Sequence, residues 1–325
     1  MRKKVLVVRF SSIGDIVLTS PVIRCLHEQL DADVYVITKD IFADIYRNNP
    51  HVHEVITIRS DVREARAGLE AVKFDFITDL HHNFRSGQVK RICKAPAVSF
   101  PKLNVQKFFY VKLGINRMPD VHIVDRYFET VKSLGVKNDG KGLEYFIAPG
   151  NTVDISSLPA THRNGYVAIT ASAKFATKEL PLHKMIAVIR SLNRPVVVLG
   201  GKDDVGKGNE IAETCGESVF NACGKYNLDQ SASLIQQAEL VISHDTGMMH
   251  IAAAFKKRIY SVWGNTVPDF GMYPYHPGEG SRIIEVKGLR CRPCSKLGYA
   301  ECPLGHFKCM NDIPVEAFGE SFVNP

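Results

Sequence analysis

The sequence predicts an α/β protein made of two doubly wound parallel sheets. Three observations carry this. Short continuous apolar runs such as "KVLVV" and "PVVVL" are of the kind buried on both faces of a parallel sheet. They alternate with longer stretches of helical periodicity. The alternation pauses once, in "APGNTVDISSLPATHRNG" (Ala148 to Gly165), rich in Pro, Gly, Ser, Thr and Asn, and then restarts. A length of 325 residues also favours two domains over one. The expected domains are residues 1–155 and 156–325, with a cleft between them.

In chain order, Lys4 to Phe10 reads as the first strand. A helix from about Ile16 to Leu30 carries Val17, Ile23 and Leu26, and Pro21 inside it implies a kink or a late start. Strands follow at Asp33 to Lys39, Val52 to Ile58 and Phe74 to Leu80, separated by helices near Ile41 to Arg47 and Val62 to Ala71. "VDRYFETVKSLGV" (Val124 to Val136) is an amphipathic helix ended by Gly135. In the second half the expected strands are Tyr166 to Ser172, Pro195 to Gly201, Val219 to Ala222, Leu240 to Asp245 and Arg258 to Gly264. The helices between them are Leu182 to Asn193, Val205 to Cys215, Leu228 to Ala238 and Gly247 to Phe255.

Bulk properties narrow the class. Hydrophobic residues make up 45% of the chain, enough for proper cores. There is no apolar run of about 18 residues, hence no expected transmembrane helix. The start "MRKKVLVVRF" lacks a small-residue cleavage site and reads as a strand, which points to the cytoplasm. The net charge of +7 is modest but unevenly spread. Arg85, Lys90, Arg91, Lys94, Lys102, Lys107, Lys112 and Arg117 follow one another with no intervening acid, interleaved with Phe100, Phe108, Phe109 and Tyr110. This is either an ordinary solvated face or a docking surface for an anionic partner: phosphorylated lipid, membrane or nucleic acid.

Three loops carry chemistry. In "ISHDTGMMHIAAA", Asp245, Thr246 and Gly247 end a strand, where open α/β sheets bind ligands. The following helix offers unpaired N–H groups and a partial positive charge, a ready site for a diphosphate, with His250 one turn on. Asp245 could instead be a simple N-cap. In "RFSSIGDIVLTSP", Asp15 opens the first helix beyond the first strand, as a general base or as a carboxylate on the helix dipole. The single glycine there is not the three-glycine dinucleotide fingerprint, which disfavours a dehydrogenase. In "ASAKFATKELP", Lys174 and Lys178 could neutralise phosphate, or each could be an ordinary solvated loop lysine.

Taken in order, "SSIGDIVLTSPV", "DLHHNFRS", "HIVDRYFETVKSLGV", "TKELP" and "ISHDTGMMHIAAAFKKRIYSVWGNTVP" resemble the lipopolysaccharide heptosyltransferases of glycosyltransferase family 9. The tail "CRPCSKLGYAECPLGHFKCMNDI" is similar to the cysteine-rich end of many members, so the resemblance spans about Lys4 to Ala317. It implies a GT-B fold of two Rossmann-like domains, the first binding acceptor and the second the nucleotide sugar. It implies Asp15 as catalytic base, and Lys178, Thr246 and Gly247 at the donor diphosphate. Asp245 and His250 would lie by the donor sugar, Tyr226 near adenine and Asp204 near the ribose. Arg85, Lys102 and Lys107 become candidates for the acceptor. The implied partners are an ADP-sugar donor and an anionic lipid-linked saccharide met at the inner membrane face, with no nucleic acid, no metal and no cofactor.

Departures from the family pattern bear on the donor more than on the fold. Ala171-Ser172-Ala173 stands where Pro-Gly-Ala is common, Leu180 replaces an aromatic, Met248 a frequent Pro, and His244 a frequent Asn. "DAD" (Asp31 to Asp33) superficially matches a metal-binding Asp-x-Asp but reads as a surface turn. Cys291, Cys294, Cys302 and Cys309 have spacing whose first pair suits zinc and whose later gaps are looser, and reduced thiols in an irregular loop or a disulfide formed on oxidation are equal alternatives for the cluster. A catalytically inactive nucleotide-sugar-binding GT-B protein is the alternative to the enzyme. A nucleic-acid binder would show salt-dependent binding to random DNA.

Overall fold

A computed structural model describes residues 2–319. It contains two all-parallel sheets in two compact units. The first unit runs to Leu103 and resumes over Asp120–Phe146. The second takes Asn104–Pro119 and the described chain from Ile147 onward. The boundary thus falls earlier than residue 156, and a short segment from the middle of the first half belongs to the second unit.

The first sheet consists of β1 (Lys4–Val8), β2 (Asp33–Lys39), β3 (Glu54–Ile58), β4 (Phe76–Asp79) and β5 (Ala97–Ser99). Their order is β3-β2-β1-β4-β5. Val5 pairs with Val34 on one side and Phe76 on the other, so β1 is central. Val5 to Val8 are fully buried, and each such side chain contributes about 1.5–3 kcal/mol through burial. Leu6, Val8, Phe10, Ile37, Ile77 and Leu69 share one core cluster.

The long first helix of the sequence reading is in fact two. Ile13–Val17 stops, and Ser20–Leu30 begins with proline in its first turn, where the missing N–H costs nothing. At the break, the Thr19 and Ser20 hydroxyls donate to the Ile16 and Val17 carbonyls at 2.7 Å each. Arg24 on the second helix is buried and donates twice to Asp139 at 2.8 Å. It also pairs with Glu144 at 3.0 Å. These contacts tie Asp120–Phe146 back to the first unit. The helix expected at Val124 to Val136 is α-helical over Ile123–Phe128, then a short 3-10 turn closed by Gly135 at φ +79°.

Three elements of the basic region were not anticipated: helix Phe84–Cys93, edge strand β5 and helix Asn104–Leu113. Asp31 is the left-handed cap of Ser20–Leu30 and pairs with Arg2 at 2.8 Å.

The second sheet consists of β6 (Val167–Thr170), β7 (Val196–Leu199), β8 (Val219–Asn221), β9 (Leu240–His244), β10 (Ile259–Trp263) and β11 (Arg282–Glu285). Its order, β11-β10-β9-β6-β7-β8, is that of a dinucleotide-binding doubly wound sheet. Its core includes Ile169, Val198, Ile242, Val262, Met185 and Ile189, with the tail contributing Cys309, Met310 and Phe318.

Candidate functional site

Strand order locates a site in each sheet. In the first, β1 and β4 are neighbours from which the chain winds in opposite directions. In the second, β6 and β9 hold the same position. Ligands of open parallel sheets bind beyond the carboxyl ends of such strands. The Ser-Ser-Ile-Gly-Asp loop follows β1, and Lys178 and Asp245–Gly247 follow β6 and β9.

At the β1 end, Asp15 lies in the first turn of Ile13–Val17. Its carboxylate pairs with Arg9 at 2.6 Å and accepts from the Ser12 hydroxyl at 2.9 Å and the Ser12 N–H at 3.3 Å. The Asp15 side chain keeps 22% of its surface, so it is reachable from solvent, whereas that of Arg9 keeps 8%. Arg9 donates to the carbonyls of Ser11 and Leu80 and to the Tyr127 hydroxyl. Burial works against its charge, but Asp15 and the tyrosines outweigh this and keep it charged. Arg9 and Ser12 thus fix the orientation of the Asp15 carboxylate from both of its oxygens.

The β4 end adds to this field. Asp79 is fully buried and accepts from the His82 N–H at 2.6 Å, Ser86 at 2.8 Å, Ser99 at 2.9 Å and Lys90 at 2.9 Å. Burial opposes its ionisation, yet these donors hold its carboxyl below the usual range. His81 is pushed down to about 4 by burial and by the charges of Arg9 and Lys102. Lys102 is itself lowered by burial and by Arg9. Lys102 therefore belongs to a cationic group around Asp15.

The run of basic residues is shared between the two units. Arg85 is half-buried and acts electrostatically on Asp61. Lys90 is committed to Asp79. Lys107 belongs to the second unit and sits over the Phe270 ring at 5.7 Å.

At the second switch point the Lys178 ammonium pairs with Asp245 at 2.6 Å, both side chains being about 12–14% exposed. Thr266, beyond β10, donates to the same Asp245 oxygen at 3.0 Å. Thr246 is the extended N-cap of helix Gly247–Ala254, and its hydroxyl lies 3.2 Å from that of Ser243 rather than capping the helix. Asp245, Thr246 and Gly247 are partly exposed, while His250 is 2% exposed. His244 is buried, and its Nε2 accepts the Leu180 N–H at 2.9 Å. Burial and the charge of Lys207 lower it to about 3, against the Ser172 carbonyl, so it is neutral. Glu179 accepts from the Ala173 N–H and pairs with Lys207, both at 2.9 Å. Lys174 is exposed over Phe175, the solvated alternative.

Asp204 and Tyr226 follow β7 and β8, on the same sheet edge. One Asp204 oxygen accepts the Gly201 N–H at 2.7 Å. Tyr226 is half-buried, its phenol raised by burial, just before helix Leu228–Gln237. Direct contact thus joins Lys178, Asp245 and Thr266, with Asp204 and Tyr226 further along that edge. The reading of single loops missed Arg9, Glu179 and Thr266. For Arg9 the available signal was a charge at the end of an apolar strand.

The four clustered cysteines are unbonded. Burial raises Cys294 to about 11 and Cys309 to about 12, helped by the neighbouring thiols, so both are protonated at neutral pH. Cys291 Sγ lies 3.9 Å from His306 Nε2. Among the described residues no group of three or more His, Cys, Asp or Glu is placed to hold a metal ion. Among them, too, no helix is long and apolar enough to cross a membrane.

The chain matches the model of glycosyltransferase family 9 (heptosyltransferase) over residues 62–301. It is 24% identical over 321 residues to lipooligosaccharide heptosyltransferase 2 of Campylobacter jejuni, covering 96% of this chain and 95% of that protein. Its fold is similar to that of a family 9 glycosyl transferase from Veillonella parvula, with a TM-score of 0.76 at 20% identity, covering 97% and 95% of the two chains. It is also similar to that of the E. coli ADP-heptose LPS heptosyltransferase II, with a TM-score of 0.69 at 21% identity, covering 95% and 98%.

Proposed function

Because the chain belongs to glycosyltransferase family 9, the heptosyltransferases, we propose that it moves a heptose from an ADP-sugar to an anionic lipid-linked saccharide. The setting is lipopolysaccharide core assembly at the inner membrane face. The observation that carries this is the Lys178–Asp245–Thr266 cluster at the switch point of a sheet with dinucleotide-binding strand order.

The second unit supplies the leaving-group site. The diphosphate takes the Lys178 ammonium, the Thr246 hydroxyl and the free backbone N–H groups at the start of helix Gly247–Ala254. Asp245 releases part of its hold on Lys178 and turns to hydroxyls of the donor sugar, with His250 behind it. Tyr226 packs near the adenine and Asp204 near the ribose. The positive charges neutralise the departing ADP without a metal.

The first unit supplies the base. Asp15 accepts the proton of an acceptor hydroxyl as its oxygen bonds to the anomeric carbon and the bond to ADP breaks. Arg9 orients the carboxylate. Lys102 and Arg85 attract the anionic acceptor.

The test is calorimetry with ADP against other nucleoside diphosphates, joined to a transfer assay with ADP-heptose and a lipid-linked core acceptor. Tight, ADP-selective binding with transfer supports the reading. Preference for a uridine or guanosine diphosphate rejects the donor. Donor binding without transfer or donor hydrolysis rejects turnover.

A further inference from the structure

The Lys178 loop and the Thr266 loop are both bonded to one stretch of the cysteine-rich tail. Thr177, next to Lys178, is 2% exposed. Its hydroxyl accepts the Tyr299 N–H at 2.8 Å and donates to the Tyr299 carbonyl at 3.1 Å, while its own N–H reaches that carbonyl at 3.2 Å. Gly298, at φ +143°, crosses Phe175 so closely that a Cβ there would lie 2.5 Å from the Phe175 Cβ.

On the other side, the Arg292 guanidinium donates to the Thr266 carbonyl and the Val286 carbonyl at 2.8 Å each. It also pairs with Glu285 at 2.8 Å, with 5% of its side chain exposed. The Cys294 N–H donates to the Asn265 carbonyl at 3.0 Å, and Asn265 donates to the Ser295 hydroxyl at 3.2 Å. The two loops also meet directly. The Asn265 N–H donates to the Thr177 carbonyl at 3.3 Å, an approach that Gly264 permits, since a Cβ there would lie 2.6 Å from that carbonyl oxygen.

We infer that residues 292–299 form a brace that sets the donor-phosphate site, with Arg292 and Thr177 as positioning residues for Lys178 and the Asp245–Thr266 pair. This rests on the proposal that Lys178 binds the donor diphosphate. The physical reason is leverage. Lys178 follows a residue held to Tyr299 by three hydrogen bonds, one from its backbone N–H and two through its hydroxyl, and Thr266 carries at its carbonyl the Arg292 contact and at its hydroxyl the Asp245 contact. Loosening the brace lets both ends of the Lys178–Asp245–Thr266 line drift. Since this line meets the nucleotide and not the acceptor, donor affinity should change first.

The experiment compares Thr177→Val, Thr177→Ser and Arg292→Lys with the parent protein, by calorimetry with ADP, steady-state kinetics and thermal melting. Thr177→Val keeps shape and backbone bonds but removes the hydroxyl. It should weaken ADP binding and raise the donor KM by about three- to tenfold, with kcat and acceptor KM unchanged. Thr177→Ser should recover most of the loss. Arg292→Lys keeps a positive charge beside Glu285 but cannot reach both carbonyls, and should shift ADP affinity in the same direction. Should Thr177→Val fail to fold, Arg292→Lys carries the test alone. A lowered melting temperature with parental ADP affinity in the folded variants overturns the brace. Lys178→Ala, run alongside, separates the two ideas. If it leaves ADP affinity intact, the donor site itself is misplaced. If it weakens ADP binding while the brace variants do not, only the brace fails.

Discussion

Replacing Asp15 by Asn should stop glycosyl transfer while sparing nucleotide binding. An amide keeps the shape of the carboxylate but cannot take the acceptor proton, and loss of a general base costs about 10²- to 10⁴-fold in turnover. The structure also predicts a stability cost. Asp15 accepts from Arg9 on one side and from the Ser12 N–H and hydroxyl on the other. An amide has one accepting oxygen. Turned to Arg9, it sets its NH2 against the Ser12 N–H; turned the other way, it sets it against a buried guanidinium. One charge-assisted contact is lost either way, about 1–3 kcal/mol, or several degrees of melting temperature. Arg9 keeps its contacts to Ser11, Leu80 and Tyr127, so the unit should still fold. The assay is transfer from ADP-heptose well below the measured melting temperature of the variant, with ADP affinity by calorimetry. Near-normal turnover makes Asp15 a helix-start carboxylate and refutes the reasoning. A matching loss of ADP affinity would trace the defect to folding instead.

Three further outcomes are expected. Lys178→Ala should weaken ADP binding about 10- to 100-fold in calorimetry and lower the melting temperature, because Asp245 keeps only Thr266 of that trio. Unchanged affinity would remove Lys178 from the site. His244→Asn should flatten the pH dependence of stability. The folded histidine is depressed to about 3, so between there and an unfolded value of about 6.5 the unfolded chain holds more protons. Stability from this group therefore rises with pH across that window, at up to about 1.4 kcal/mol per unit. Chemical denaturation at pH 4 and pH 7 should show a smaller difference in the variant, and an identical difference would contradict the buried neutral imidazole. Finally, Lys102, Lys107 and Lys112 changed together to Gln should cut co-sedimentation with anionic vesicles about 10- to 100-fold at low salt and raise the acceptor KM. Salt-independent or absent vesicle binding in the parent protein would reduce these lysines to a solvated face.

How far the sequence could be read follows from burial. Asp33–Lys39 matches its expected limits because it has clear flanking breaks and a buried apolar run, and Leu182–Leu192 comes within one residue of its expected end because it buries the stripe Met185, Val188, Ile189 and Leu192. What escaped lies where burial is thin. Helix Asn104–Leu113 has no buried residue and hence no periodic stripe to detect. Phe84–Cys93 buries only Ser86 and Val89. Strands β5 and β11 lie on sheet edges, where one flank has no neighbour and the apolar run is short. The candidate residues Asp15, Lys178 and Asp245 could be singled out because each stands next to a strand end and a turn, and parallel strands bring such ends to one edge of their sheet. Thr266 and Arg9 were not, since their roles depend on partners brought close only by folding. The family resemblance, and not spacing, suggested Tyr226 and Asp204.

The path of the chain bears on any attempt to take this protein apart. The peptide passes from the first unit to the second after Leu103, returns at Asp120 and leaves for good after Phe146. No single cut yields two whole halves. A fragment ending at residue 146 would carry Asn104–Pro119 without the Asp269 carboxylate that Tyr110 bonds at 2.8 Å and without the Phe270 ring beneath Lys107. It would leave Tyr110 without that partner, beside Val105, Phe108 and Leu113, which are already open to solvent. A chimera that borrows the second unit from a relative must transplant two pieces of sequence, and an exchange at the linker alone would pair a borrowed tail with a native helix it never evolved to hold.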